Sequence, residues 1–71
     1  MRLELLRRVR AFKGYKQYEI ADLIGMTRQC YNLKENGKYS FTIEDVVSIS
    51  KFLNLSLEDV NEIFFENKIS S

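Results

Sequence analysis

The chain has 71 residues, 45% of them apolar and 13% aromatic, enough for one small globular domain and too few for two. No apolar run approaches the roughly 18 residues of a membrane span, and the opening dozen residues are too charged for a secretory signal. The single cysteine, Cys30, excludes an internal disulfide, and the formal net charge of +1 argues weakly against a nucleic-acid binder, since such domains are often plainly basic.

Leu3, Leu6 and Val9 recur at helical spacing, with Leu5 and Phe12 widening the stripe, so residues 2–12 are predicted as an amphipathic helix that Gly14 stops. A second helix begins near Gln17, with Lys16 as a poor cap and Ile20, Ala21 and Ile24 on its apolar side. Gly25 supplies a left-handed turn. Thr27 caps a third helix over 27–35, which Asn36-Gly37 ends. Thr42 and Asp45 form a capping-box variant at the start of a fourth helix, whose apolar face is Ile43, Val46, Val47, Ile49 and Leu53 and whose stop is Asn54. Ser56 and Asp59 repeat that signature before a fifth helix through Leu57, Val60, Ile63 and Phe64. The expectation is an all-α, five-helix domain over residues 1–65, with a short frayed tail at 66–71.

Charge is unevenly distributed along this order. Residues 1–40 hold nine basic and four acidic side chains, a local balance of +5, whereas residues 41–71 hold two and six, a balance of −4. A bipolar molecule of this kind can steer its basic part onto phosphate. The most informative stretch lies in the basic part: QYEIADLIGMTRQCYNLKENGK, residues 17–38. Two short helices joined at a glycine are the layout of a helix-turn-helix, whose second helix enters the DNA major groove. Arg28, Gln29 and Asn32 on that second helix are the residue types that read base edges, Arg on guanine and Gln or Asn on adenine.

Other chemistries find little material. The chain has no histidine, so neither a His-based triad nor a mixed His/Cys zinc set can be assembled. The carboxylates are spread over helix starts, where capping and the helix dipole account for them. No enzyme activity, cofactor, metal or small-molecule ligand is expected. Cys30, inside the third helix, is read as a small half-buried filler rather than a redox switch.

The pattern Q-x-E-I-A-x-x-I-G-M-T-R-Q followed by E-N-G-K resembles the Cro and phage-repressor type of helix-turn-helix, often called the Xre family. The similarity spans roughly residues 3–64, and the K-E-N-G-K-Y-x-F-T run is similar to prophage-encoded regulators. The resemblance implies a lambda-repressor-like fold with helices 2 and 3 as the helix-turn-helix. It implies that Thr27, Arg28, Gln29 and Asn32 face the groove, that Gln17 meets phosphate at a helix N-terminus, that Asn36 and Lys38 grip the backbone after the third helix, and that Arg10 and Glu35 form a structural ion pair; Lys16, by its charge, and the Thr27 hydroxyl are further phosphate candidates. Thr27 is most simply an N-cap, with which a phosphate contact through the same hydroxyl is compatible, and Arg28 has phosphate contact alone as its alternative. Three positions depart from the family: Tyr31 stands where an aliphatic residue is usual, Lys34 where an aliphatic or Trp is usual, and Asn61 where Phe or Leu often closes the core.

The function implied is a double-stranded-DNA-binding transcriptional regulator, a repressor by preference, acting in the cytoplasm, at the nucleoid. One short helix reads few bases, so a homodimer on a pseudo-palindromic operator is expected, its half-sites about 34–36 Å apart. Leu57, Val60, Phe64 and Phe65 are the expected dimer surface, with the neighbourhood of Phe41 and Thr42 as the alternative. An antitoxin-type or protein-interaction module built on the same fold is the rival reading.

Overall fold

A computed structural model describes residues 1–65; the tail expected at 66–71 lies outside the described residues. The described chain is all-helical: α1 Leu3–Phe12, α2 Gln17–Leu23, α3 Arg28–Glu35, α4 Ile43–Leu53 and α5 Leu57–Val60, the last running on into a π-helical turn over Asn61–Phe65. No helix in it is long and apolar enough to cross a membrane.

The helix boundaries follow local chemistry. The hydroxyls of Thr27, Thr42 and Ser56 each accept the amide three residues on, at 3.1 Å in every case. Asp45 and Asp59 reciprocate by accepting the amides of Thr42 and Ser56 at 3.0 and 3.2 Å, which completes both capping boxes. At α2 the poor cap Lys16 is rescued from the other side, because the Glu19 carboxylate accepts the Lys16 amide at 2.8 Å. Helix ends are closed by paired reversals. After α2, the Gly25 amide reaches the Asp22 carbonyl and the Met26 amide reaches that of Ala21, with Gly25 at φ 76°. The same pair of bonds follows α1 and α3, and α4 uses Asn54, at φ 54°, in the glycine's place.

Leu6, Ile20, Ala21, Tyr31, Phe41, Val46, Ile49, Leu53, Ile63 and Phe64 form the core. α2 and α3 pack directly on each other, and the small Ala21, fully buried, adds little bulk to that interface. Phe41, in the loop before α4, makes edge-to-face contacts with Tyr31 and Phe64, each with ring centroids 6.0 Å apart. The chain start is tied to the last turn by the Arg2 amide, which donates to the Ile63 carbonyl at 2.6 Å.

Several expectations need correcting. Phe64, expected on a dimer surface, is buried within the single chain against Phe41, and Phe41 itself is buried too. Phe12, at the last position of α1, is 90% exposed, and the stripe of that helix is carried by Leu3, Leu5, Leu6 and Val9. On α4 the buried positions are Val46, Ile49 and Leu53, while Ile43 and Val47 lie on the flank of that stripe and are exposed. At Asn61 the chain enters a wider π-helical turn, in which the adjacent Ile63 and Phe64 are both buried.

Candidate nucleic-acid interface

Glu35, the last residue of α3, is fully buried. A carboxylate in that position is costly unless its oxygens are occupied by donors. Here they are. Arg10, from α1, donates Nε to Oε2 at 2.9 Å and Nη2 to Oε1 at 3.1 Å, a two-pronged pair. Gln17 Nε2 adds a bond to Oε1 at 2.8 Å, and the Tyr31 hydroxyl one to Oε2 at 2.6 Å. Arg10 Nη1 is satisfied by the Tyr15 carbonyl at 2.8 Å. Among the described residues no buried side-chain polar atom lacks a partner.

Burial pushes the Glu35 carboxyl up, but the hydrogen bonds from Arg10, Tyr31 and Gln17, with the Arg10 charge, outweigh it and hold the group below the ordinary carboxylate range. Desolvation and the Glu35 charge together push the Tyr31 phenol well above its usual value. The Tyr31 side chain is fully buried and its hydroxyl ends on the carboxylate. The residue that departs from the aliphatic habit of the family is thus a donor to the buried charge.

From this anchor the hydrogen bonds continue towards the surface. Gln17 Oε1 accepts from Asn32 Nδ2 at 3.1 Å, and Asn32 Oδ1 accepts from Asn36 Nδ2 at 3.1 Å. Three expected contact residues from two helices and a loop are therefore one connected row. Asn32 belongs to it, half-buried at the seam of α2 and α3, and is not equivalent to Arg28 and Gln29. Those two are exposed in the first turn of α3, and neither side chain makes a hydrogen bond or ion pair with a described residue. Thr27, exposed, uses its oxygen to cap α3 and keeps its hydroxyl proton. Lys16 and Lys38 are exposed, and neither ammonium pairs with a described acidic residue.

Two further cations take positions that spacing alone does not reveal. Arg7 Nη1 donates to the Glu35 backbone carbonyl at 3.0 Å, so α1 places a guanidinium at the C-terminal end of α3, next to the Asn36–Lys38 loop. Lys34 reaches Asp45 at 2.5 Å, with both side chains largely shielded. Burial raises the Asp45 carboxyl, but Lys34 and the Thr42 amide bring it below its usual value. Since Asp45 also caps α4, this contact fixes the loop after α3 between two helices. The Tyr31–Glu35 contact had a signal in the sequence, an i, i+4 spacing on one helix. The Gln17–Glu35 and Lys34–Asp45 contacts join different helices and had none.

Comparison with known proteins gives the same outline. A family model described as helix-turn-helix matches residues 6–60. The chain is 36% identical over 55 residues to the SPbeta prophage-derived uncharacterized HTH-type transcriptional regulator YonR of Bacillus subtilis (strain 168), an alignment covering 78% of this chain and 51% of that protein. The chain thus spans about half the length of that relative. No solved structure matches.

Proposed function

The chain belongs to the helix-turn-helix family, of the Cro/repressor type, and from that premise we propose that it is a sequence-specific regulator of transcription that binds double-stranded DNA. The observation that carries this reading is the surface of α3: Arg28 and Gln29 are exposed with unengaged polar groups in the first turn, and Asn32 follows one turn later. In this reading α3 enters the major groove. Arg28 donates to guanine O6 and N7, and Gln29 and Asn32 contact adenine edges. Lys16, Lys38, Thr27 and Asn36, with the amide of Gln17, hold phosphates and set the register. Arg7, held at the end of α3, joins them.

Repression follows if the bound protein covers a promoter. A homodimer on a pseudo-palindrome supplies the specificity that one short helix lacks. Leu57 and Phe65, both exposed, with Val60 beside them, remain the proposed surface for the second copy; Phe64 does not take part because it is core. Sedimentation at tens of micromolar should show the dimer, and Leu57→Glu should leave a monomer.

The decisive experiment is selection of bound duplexes from a random pool at two salt concentrations. A motif should be enriched, and binding should weaken as salt rises because phosphate contacts release counterions. Arg28→Ala should relax preference at one base position at a cost of roughly 1–3 kcal/mol. An unenriched pool together with salt-independent binding would refute the proposal.

A further inference from the structure

The row of hydrogen bonds from Asn36 to Glu35 has a direction. Glu35 is an ionised carboxylate and only accepts. Gln17 must therefore turn its Nε2 inward to Glu35, which leaves its Oε1 as the atom offered to α3. Asn32 answers that oxygen with Nδ2, and so offers Oδ1 to Asn36. An amide can present either end to a neighbour, and nothing in Asn32 itself chooses between them. The choice is imposed by a buried charge two side chains away.

The inference rests on the DNA-binding reading above and deepens it: we propose that Glu35 is a positioning residue for sequence readout, its buried carboxylate setting, through the Gln17 amide, which end of the Asn32 amide is held in the seam between α2 and α3. In that arrangement one Nδ2 hydrogen and one Oδ1 lone pair of Asn32 stay unused among the described residues. A donor and an acceptor side by side are what the N7 and N6 positions of adenine require. Rotating the amide by half a turn would break both of its internal bonds, so Asn32 meets the base pre-oriented and loses little freedom on binding. Gln17 acts here through its side chain on α3.

The roles separate experimentally because loss of a positioning contact affects one base, whereas loss of stability or of a phosphate contact affects every sequence alike. The full chain is used with the duplex obtained by selection and with duplexes altered at single positions. Asn32→Ala identifies the base whose preference it relaxes. Gln17→Leu leaves Arg10 and Tyr31 on Glu35, and should lower discrimination at that same base by roughly fivefold or more, the lower bound for a good two-pronged base contact. Discrimination at the base that Arg28→Ala relaxes should be unchanged, and Gln17→Leu combined with Asn32→Ala should be no worse at the Asn32 base than Asn32→Ala alone. Where Glu35→Gln folds by circular dichroism, it should relax the same base; Gln17→Leu carries the test without it. Uniform weakening by Gln17→Leu with the Asn32 base preference intact would overturn the proposal, and so would an Asn32→Ala variant that relaxes no base. If the unsubstituted chain enriches no duplex, the DNA-binding reading falls and the relay with it, an outcome distinct from either of these.

Discussion

Around Glu35, four hydrogen bonds from three side chains converge on one buried carboxylate. Around Phe64 and Ile49, by contrast, the core is aliphatic and aromatic, with Phe41, Val46, Leu53 and Ile63 filling the space without a polar partner between them. Glu35 and Ile49 are both fully buried, yet their surroundings tolerate change differently. Apolar packing is non-directional, and a lost methyl group costs surface and cavity. The carboxylate site is directional, and a lost donor leaves a charge in low dielectric. Orientation is thus concentrated on the side of the molecule that carries Gln17, Asn32 and Asn36, and undirected cohesion on the other.

The comparison is broken most severely at Arg10. Arg10→Met should cost about 3–5 kcal/mol in urea unfolding, a large share of the roughly 5–15 kcal/mol available to a small domain. A cost below about 1 kcal/mol would instead place the pair with exposed salt bridges. On the apolar side, Ile49→Ala should cost about 2–5 kcal/mol, with the same loss at pH 7 and at pH 4.

Tyr31→Phe sharpens the contrast, since it removes one donor without changing the packing. It should cost about 1.5–3 kcal/mol, the range for a hydrogen bond to a charged group. The pH profile follows from the two shifted groups. Glu35 is lowered from 4.5, so its contribution is complete above about that pH and is lost as pH falls through the folded-state value. Tyr31 is raised from 10.0, so its contribution is complete below that pH and is lost as pH rises above it. Unfolding free energy measured from pH 9 to 11 should therefore decline less in Tyr31→Phe than in the parent. The smallest effect on stability is expected at Lys38, which touches neither region. Lys38→Ala should change stability by less than about 0.5 kcal/mol, while the salt dependence of DNA binding should lose about one phosphate contact.

Most of the architecture was legible because it is written in short-range signals. Thr27, Thr42 with Asp45, and Ser56 with Asp59 mark helix starts by hydroxyls and carboxylates that act within three residues. Gly14, Gly25 and Gly37 mark ends because each adopts positive φ. The site was legible only at the level of residue type. Arg28 and Gln29 are exposed in the first turn of α3, as their reading requires, but spacing put Asn32 in the same class, and the structure separates it as part of an internal row. The apolar tally likewise overfilled some faces: Phe12, Ile43 and Val47 fit helical stripes and lie outside the core, because helix position says nothing about where the neighbouring helix ends.

What the chain determined by itself, then, is the number, order and ends of its helices and the polar character of α3, all consequences of backbone geometry and of side chains within one turn. Only tertiary structure decided which of those side chains are committed. It turned Tyr31 inward onto Glu35, set Lys34 on Asp45, drew Phe41 and Phe64 into one core and linked Gln17 to Asn32. The physical reason is that a buried charge requires donors from wherever the chain can bring them, and here they come from three helices.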